Sequence, residues 1–126
     1  MAAKIVRIQY NKLIRDKVPD NIKTKGFDAK TRRLTLKEFK KELLKKVGEE
    51  ASALPGLTRK SEIIDELADT IDVIEEILRT FKISKREIAV AQKKAMKKKG
   101  GFKKRIYLYW SEDSGYRTNE RRYVNK

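Results

Sequence analysis

The chain has 126 residues, with 33 Lys and Arg against 18 Asp and Glu, and it contains neither Cys nor His. Its length suits one small domain. The missing residues exclude disulfides, iron–sulfur clusters, thiolate nucleophiles, Cys-ligated zinc, Ser–His pairs and imidazole bases or ligands. Chemistry is left to carboxylates, amines, guanidiniums, hydroxyls and a hard cation, and the formal net charge of +15 points to anionic, phosphate-bearing partners.

At the start of the chain, Val6, Ile8 and Tyr10 alternate loosely, which fits a short strand or an extended arm. Asn11 to Ile22 mixes apolar Leu13, Ile14 and Val18 with Pro19, which interrupts a helix there. Lys23 to Arg33, with Gly26, reads as a loop. Thr35-Leu36-Lys37-Glu38 then has the form of a capping box, in which the Thr hydroxyl accepts from the third helical amide and the Glu reaches back. Leu36, Phe39, Leu43, Leu44, Val47, Ala51 and Leu54 follow at helical spacing, and Pro55-Gly56 ends the run. A second helix begins between Thr58 and Ser61 and carries the strongest periodic stripe, Ile63, Ile64, Leu67, Ile71, Ile74, Ile77, Leu78 and Phe81. Ser84-Lys85-Arg86-Glu87 is another capping box, opening a helix through Ile88, Ala91, Ala95 and Met96 that Gly100-Gly101 stops. Phe102 to Trp110 is β-prone and suited to pairing with the N-terminal segment, and the composition turns polar from Ser111.

The expected architecture is all-α: an antiparallel helix bundle with short extended terminal segments, one domain over residues 1–110 and a polar, basic tail over 111–126. No stretch approaches a transmembrane run and no apolar h-region follows the start, which together with the absence of Cys predicts a cytoplasmic protein without membrane partners.

The charge is unevenly placed. Between Ser61 and Thr80 seven acids (Glu62, Asp65, Glu66, Asp69, Asp72, Glu75, Glu76) face one base, Arg79, so that segment is −6 and the remainder +21. Such an island is either a solvated helix face or a cation site ringed by anion-binding groups. On the first long helix, Phe39, Leu43, Val47 and Leu54 define the arc expected to be buried, and Glu50 falls inside it while Glu49 points away. A carboxylate on a core-facing stripe is costly unless it is paired or binds metal. Lys40 falls in the same arc, so an internal salt bridge and a metal ligand are both open readings for Glu50. On the second helix Glu66 borders the apolar stripe and lies three residues from Asp69, which makes the two neighbours on one surface. If the helices pack together, Glu50 converges with Glu66 and Asp69 as hard oxygen ligands suited to Mg²⁺ or Mn²⁺.

The run Lys46-Val47-Gly48-Glu49-Glu50-Ala51, followed by Asp65-Glu66-Leu67-Ala68-Asp69-Thr70-Ile71, resembles the all-α nucleoside triphosphate pyrophosphohydrolase superfamily, the MazG-like proteins, with their EExxE and ExxD segments. Two flanking segments, Tyr10-Asn11-Lys12-Leu13-Ile14-Arg15-Asp16-Lys17-Val18-Pro19 and Gly100-Gly101-Phe102-Lys103-Lys104-Arg105-Ile106, look like one small branch of it. The resemblance implies the all-α pyrophosphatase type of bundle and Mg²⁺-dependent cleavage of the α–β phosphoanhydride, giving a nucleoside monophosphate and pyrophosphate. It places Glu49, Glu50, Glu66 and Asp69 in the catalytic acidic positions, with Glu50, Glu66 and Asp69 as metal ligands. It also implies phosphate contacts from Lys12, Arg15, Lys17, Lys99, Lys103, Lys104 and Arg105, with Arg suited to bidentate contact and Lys to a point charge. Dimers or higher homo-oligomers are implied as well. One departure stands out: the third acid of EExxE is Ala53 here, and loss of that carboxylate weakens ion binding.

A second reading, from another class, is a non-catalytic module binding nucleic acid or nucleotides. It draws on the net charge, the Lys93–Arg105 cluster, and Tyr107, Tyr109 and Trp110 as stacking groups. The acidic segment would repel a polyanion unless it faces away.

Overall fold

A computed structural model describes residues 4–117. Among these the secondary structure is four α-helices, α1 (Val18–Thr24), α2 (Leu36–Ser52), α3 (Lys60–Thr80) and α4 (Lys85–Lys99), with a 3₁₀ turn at Leu54–Gly56 and no strand. The chain is all-α, as the periodicity predicts. The chain divides into two compact units, Met1–Ala89 and Val90–Lys126, with the boundary inside α4. Residues 118–126, expected to belong to the tail, lie outside the described residues.

Both expected capping boxes form. Glu38 N–H donates to Thr35 Oγ1 at 3.2 Å and Thr35 N–H donates to Glu38 Oε1 at 3.0 Å. Arg32 adds a fork onto the same carboxylate at 2.7 and 3.1 Å, and this guanidinium holds Glu38 well below the ordinary carboxylate range, from 4.5 down to about 2. At α4, Glu87 N–H donates to Ser84 Oγ at 3.1 Å and Ser84 N–H to Glu87 Oε2 at 2.7 Å.

Three expectations are corrected. Pro19 does not interrupt a helix but sits in the first turn of α1, where its missing N–H is an orphan in any case and its fixed φ is already helical. The stretch beginning at Lys23 is therefore not all loop: α1 runs to Thr24 and stops in a Schellman motif. There Gly26, at φ +87°, donates to the Lys23 carbonyl and Phe27 donates to that of Ile22. Neither residues 4–10 nor 102–110 form a strand; without a ladder partner the apolar alternation of either segment has nothing to hold it in register.

α2 and α3 pack against each other and run antiparallel. The start of α2 meets the end of α3, where Lys40 Nζ lies 5.5 Å from the Phe81 ring centroid, and the end of α2 meets the start of α3 around Glu50 and Glu66. Past Thr80 the helix stops on a second Schellman motif, with Lys82 at φ +56° and Ile83 N–H donating to the Leu78 carbonyl at 2.9 Å. The core this makes is small. Leu43 is the one fully buried hydrophobic residue among those described, while Phe39, Val47 and Leu54 are only half-buried. On α3 the apolar stripe splits in two. Ile63, Val73, Ile77 and Phe81 share a half-buried face, whereas Ile64, Leu67, Ile71 and Ile74 form an adjoining face that is 41–54 % exposed.

Candidate functional site

The site grows from the antiparallel pairing of α2 and α3. Glu50 lies in the last turn of α2, and Glu66 and Asp69 lie in the second and third turns of α3. Among the described residues these three acids form the one group whose carboxylate oxygens, one from each, lie within 4.8 Å of one another. Each side chain is partly exposed, so the cluster opens to water. The helical bearings that put Glu50 in the inner arc of α2 and Glu66 beside the apolar stripe of α3 are what bring them face to face.

Like charges at this separation repel, and the cluster answers in two ways. A hydrogen bond from Glu66 to Glu50, followed by partial desolvation and the fields of Glu50 and Asp69, raises the Glu66 carboxyl above its ordinary 4.5. Cations also approach from two sides. Lys46 Nζ, on a side chain only 13 % exposed, lies 3.3 Å from Glu50 Oε1. Arg15, in the segment just ahead of α1, places Nη2 at 3.0 Å from Asp69 Oδ1 and 2.8 Å from Asp72 Oδ2. The Asp72 hydrogen bond and the fields of Asp72, Asp69 and Glu50 raise the Arg15 guanidinium above its ordinary value.

The internal salt bridge open to Glu50 is thus present, with Lys46 rather than Lys40 as its partner. Spacing alone passes over Lys46, although it sits one helical turn before Glu50; its aliphatic stem packs inward and brings the amine to the cluster. Glu49 is not a member of the three-acid group. Its Oε2 atom is buried, has no hydrogen-bond donor among the described residues, and lies 3.9 Å from Lys46 Nζ.

Of the residues expected to contact phosphate, Arg15 alone reaches the acidic group through a contact that the described residues show. Lys12 Nζ lies 5.7 Å from the Tyr10 ring centroid, and Lys17 caps α1 through its backbone, its carbonyl accepting from Asn21 N–H at 3.0 Å. Lys99, Lys103, Lys104 and Arg105 belong to the other unit and are exposed. There Arg105 takes a positive φ of 55° in a turn closed by its N–H on the Phe102 carbonyl.

The donor set fits a hard divalent cation. All three groups offer oxygen, and they come from two helices joined by a short connection. Ligand oxygens around Mg²⁺ at about 2.1 Å would lie roughly 3 to 4 Å apart, so only modest rotamer adjustment closes the present spacing. Comparison with protein-family models, with curated proteins and with solved structures finds no match to this chain.

Proposed function

We propose that this protein is a Mg²⁺-dependent nucleoside triphosphate pyrophosphohydrolase of the MazG-like kind, with Mn²⁺ as an alternative ion, cleaving the α–β phosphoanhydride. The observation that carries the reading is the convergence of Glu50 with Glu66 and Asp69 across two helices, from the segments that resemble EExxE and ExxD. A bound divalent ion would neutralise phosphoryl oxygens and lower the pKa of a coordinated water. The chain's own residues divide the remaining work. Glu50, Glu66 and Asp69 hold the ion, and a carboxylate beside it can accept the proton of a coordinated water. Glu49, beside Lys46, positions the end of α2 in this scheme, and Arg15 stands ready to transfer its guanidinium from Asp69 and Asp72 to a phosphate.

The test of activity is pyrophosphate release from a panel of nucleoside triphosphates with Mg²⁺ or Mn²⁺, run on the wild type and on Ala53→Glu. Ala53 N–H donates to the Glu50 carbonyl at 3.3 Å, so position 53 keeps helical register with Glu50 three residues before it. A carboxylate introduced there neighbours the cluster, and the variant is expected to bind Mn²⁺ more tightly and to turn over faster. Silence from both proteins across the panel would count against the assignment.

Arg15 provides a second test. Its removal strips a competing cation from Asp69, so Arg15→Ala is expected to tighten Mn²⁺ binding about twofold to fivefold at low salt, the scale of an exposed ion pair. The same change raises KM for the nucleotide, because the phosphate loses its guanidinium. Calorimetric Mn²⁺ titration beside steady-state kinetics separates the two effects; weaker Mn²⁺ binding in the variant would refute this role.

We further propose that the active form is a homo-oligomer, a dimer or higher, in which a second copy covers Ile64, Leu67, Ile71 and Ile74. A helix pair with one buried side chain has too little core to stand alone, which supports this partner. It would complete an antiparallel bundle of the all-α pyrophosphatase type.

A further inference from the structure

The unit that begins at Val90 has a composition and a shape of its own. Its described residues, 90–117, hold nine Lys and Arg against two acids. Among the described residues the one ion pair there is Arg117 with Asp113, at 3.2 Å. α4 ends at Gly100, whose φ of +79° turns the chain away, and residues 114–117 come back beside the helix. Between the two runs lies an open groove of about 700 Å³. Ala91 and Ala95 line it with short side chains, Lys94 and Lys98 stand along α4, and Tyr116 and Arg117 form the returning wall.

The chain that joins the two walls carries the aromatic residues. Phe102, Tyr107, Tyr109 and Trp110 are 78–96 % exposed, and Lys103, Lys104 and Arg105 lie between them. Tyr107 and Tyr109 meet edge to face with ring centroids 5.1 Å apart, so their orientation is set by each other rather than by a core. Cations that line a groove, next to ring faces open to solvent, are what unpaired nucleic acid requires: phosphates for the amines and bases for the rings. A duplex has already stacked its bases and has no use for the rings. An anionic membrane surface would want a helix with a broad apolar face, and beyond Ala89 α4 offers only alanines with Val90 and Met96.

We infer that residues 90–117 form a binding surface for single-stranded nucleic acid, with the α4 groove holding the phosphate backbone and the Phe102–Trp110 stretch stacking on bases. This surface does not depend on the acidic cluster of α2 and α3, and binding to it need not involve turnover.

Trp110 is the only Trp in the chain, so its emission reports on the stacking stretch directly. The experiment titrates the full-length protein with a 15-nucleotide single-stranded oligo-dT at several salt concentrations. The expected result is quenching of Trp110, with log K falling against log[salt] at a slope of roughly −3, as for four or five phosphate contacts. A duplex of equal length and inorganic polyphosphate should bind without quenching. Lys94→Glu with Lys98→Glu should lower affinity tenfold or more, and Tyr109→Ala about tenfold, with helicity checked by circular dichroism. All three side chains are exposed, so none of the changes threatens a core. The inference is overturned if oligo-dT causes no quenching at 50 mM salt, if polyphosphate quenches equally, or if the charge-reversal variant binds like the wild type. It is also overturned if vesicles of anionic lipid outcompete the oligonucleotide. Emission from the free protein already at the short wavelength of a buried indole would overturn it too, since a second copy would then cover the stacking stretch.

Discussion

Glu66→Gln is expected to abolish Mn²⁺ binding and to lower pyrophosphate release by about a hundredfold or more, while raising the thermal stability of the metal-free protein. The unusual part is the opposite sign of the two effects. Glu66 lies against Glu50 and Asp69, and its carboxyl is pushed above 4.5, chiefly by the hydrogen bond to Glu50. Glutamine reproduces the shape of the neutral acid and ends the repulsion. A carboxylate retained for packing alone would lower stability when replaced. One retained for its charge lowers function and relieves the fold.

The pH dependence follows from the same shift. Because the folded chain holds the Glu66 proton more tightly than the unfolded chain, this group contributes stability that is fully present below 4.5 and is lost as pH rises through its higher folded value. Metal-free wild type therefore gains stability from this site as pH falls towards 4.5, and Glu66→Gln lacks that gain. Added Mg²⁺ acts in the reverse direction, stabilising the wild type most at neutral pH, where the carboxylates are free of protons. Glu38 behaves oppositely. Its carboxyl is held down to about 2 by Arg32 and the Thr35 cap, so its contribution is present above 4.5 and lost as pH falls from there to about 2. Thermal melts of both proteins between pH 2 and 8, with and without Mg²⁺, check these signs.

Ile71→Asp is expected to disassemble the protein and to remove most of its helical signal at micromolar concentration. Ile71 lies in the middle of the α3 face that remains 41–54 % exposed in a single chain. Ordering the backbone costs about 1–2 kcal/mol per residue, and one fully buried leucine with a few half-buried neighbours does not offset that over α2 and α3. Finishing the burial of four half-exposed Ile and Leu side chains in each of two copies is worth on the order of 6–12 kcal/mol before the cost of association. An aspartate at the centre of that face forfeits its share and buries a charge. Sedimentation velocity and circular dichroism across a concentration series are the check. A wild type that stays monomeric and fully helical on dilution would contradict the account.

Much of the fold was legible in the sequence because the signals involved are local. The capping boxes at Thr35 and Ser84 and the stop at Gly100 depend on residues within a few positions of one another, and all three form. α1 was obscured because Pro19 breaks a helix interior but suits a first turn, and only the Schellman hydrogen bonds at Gly26 tell the two apart. The acidic cluster was legible for a different reason. Glu50 stood on an arc where a lone carboxylate is costly, and that misfit announced a partner across the helix pair. Which partners it has was not legible. Lys46 depends on the rotamer of a long side chain, and the reach of Arg15 to Asp72 spans 57 residues, beyond any helical period. The division of the α3 stripe into a half-buried and an exposed face was hidden too, because a periodic apolar pattern does not say how many neighbours cover it.

The most direct measurement of the central claim is phosphorus NMR of a nucleoside triphosphate incubated with the protein and Mg²⁺. The expected result is nucleoside monophosphate and pyrophosphate in equal amounts from the wild type, none with Mg²⁺ withheld, and about a hundredfold less or lower still from Glu66→Gln. Release of inorganic phosphate in place of pyrophosphate, or equal turnover by Glu66→Gln, would contradict it.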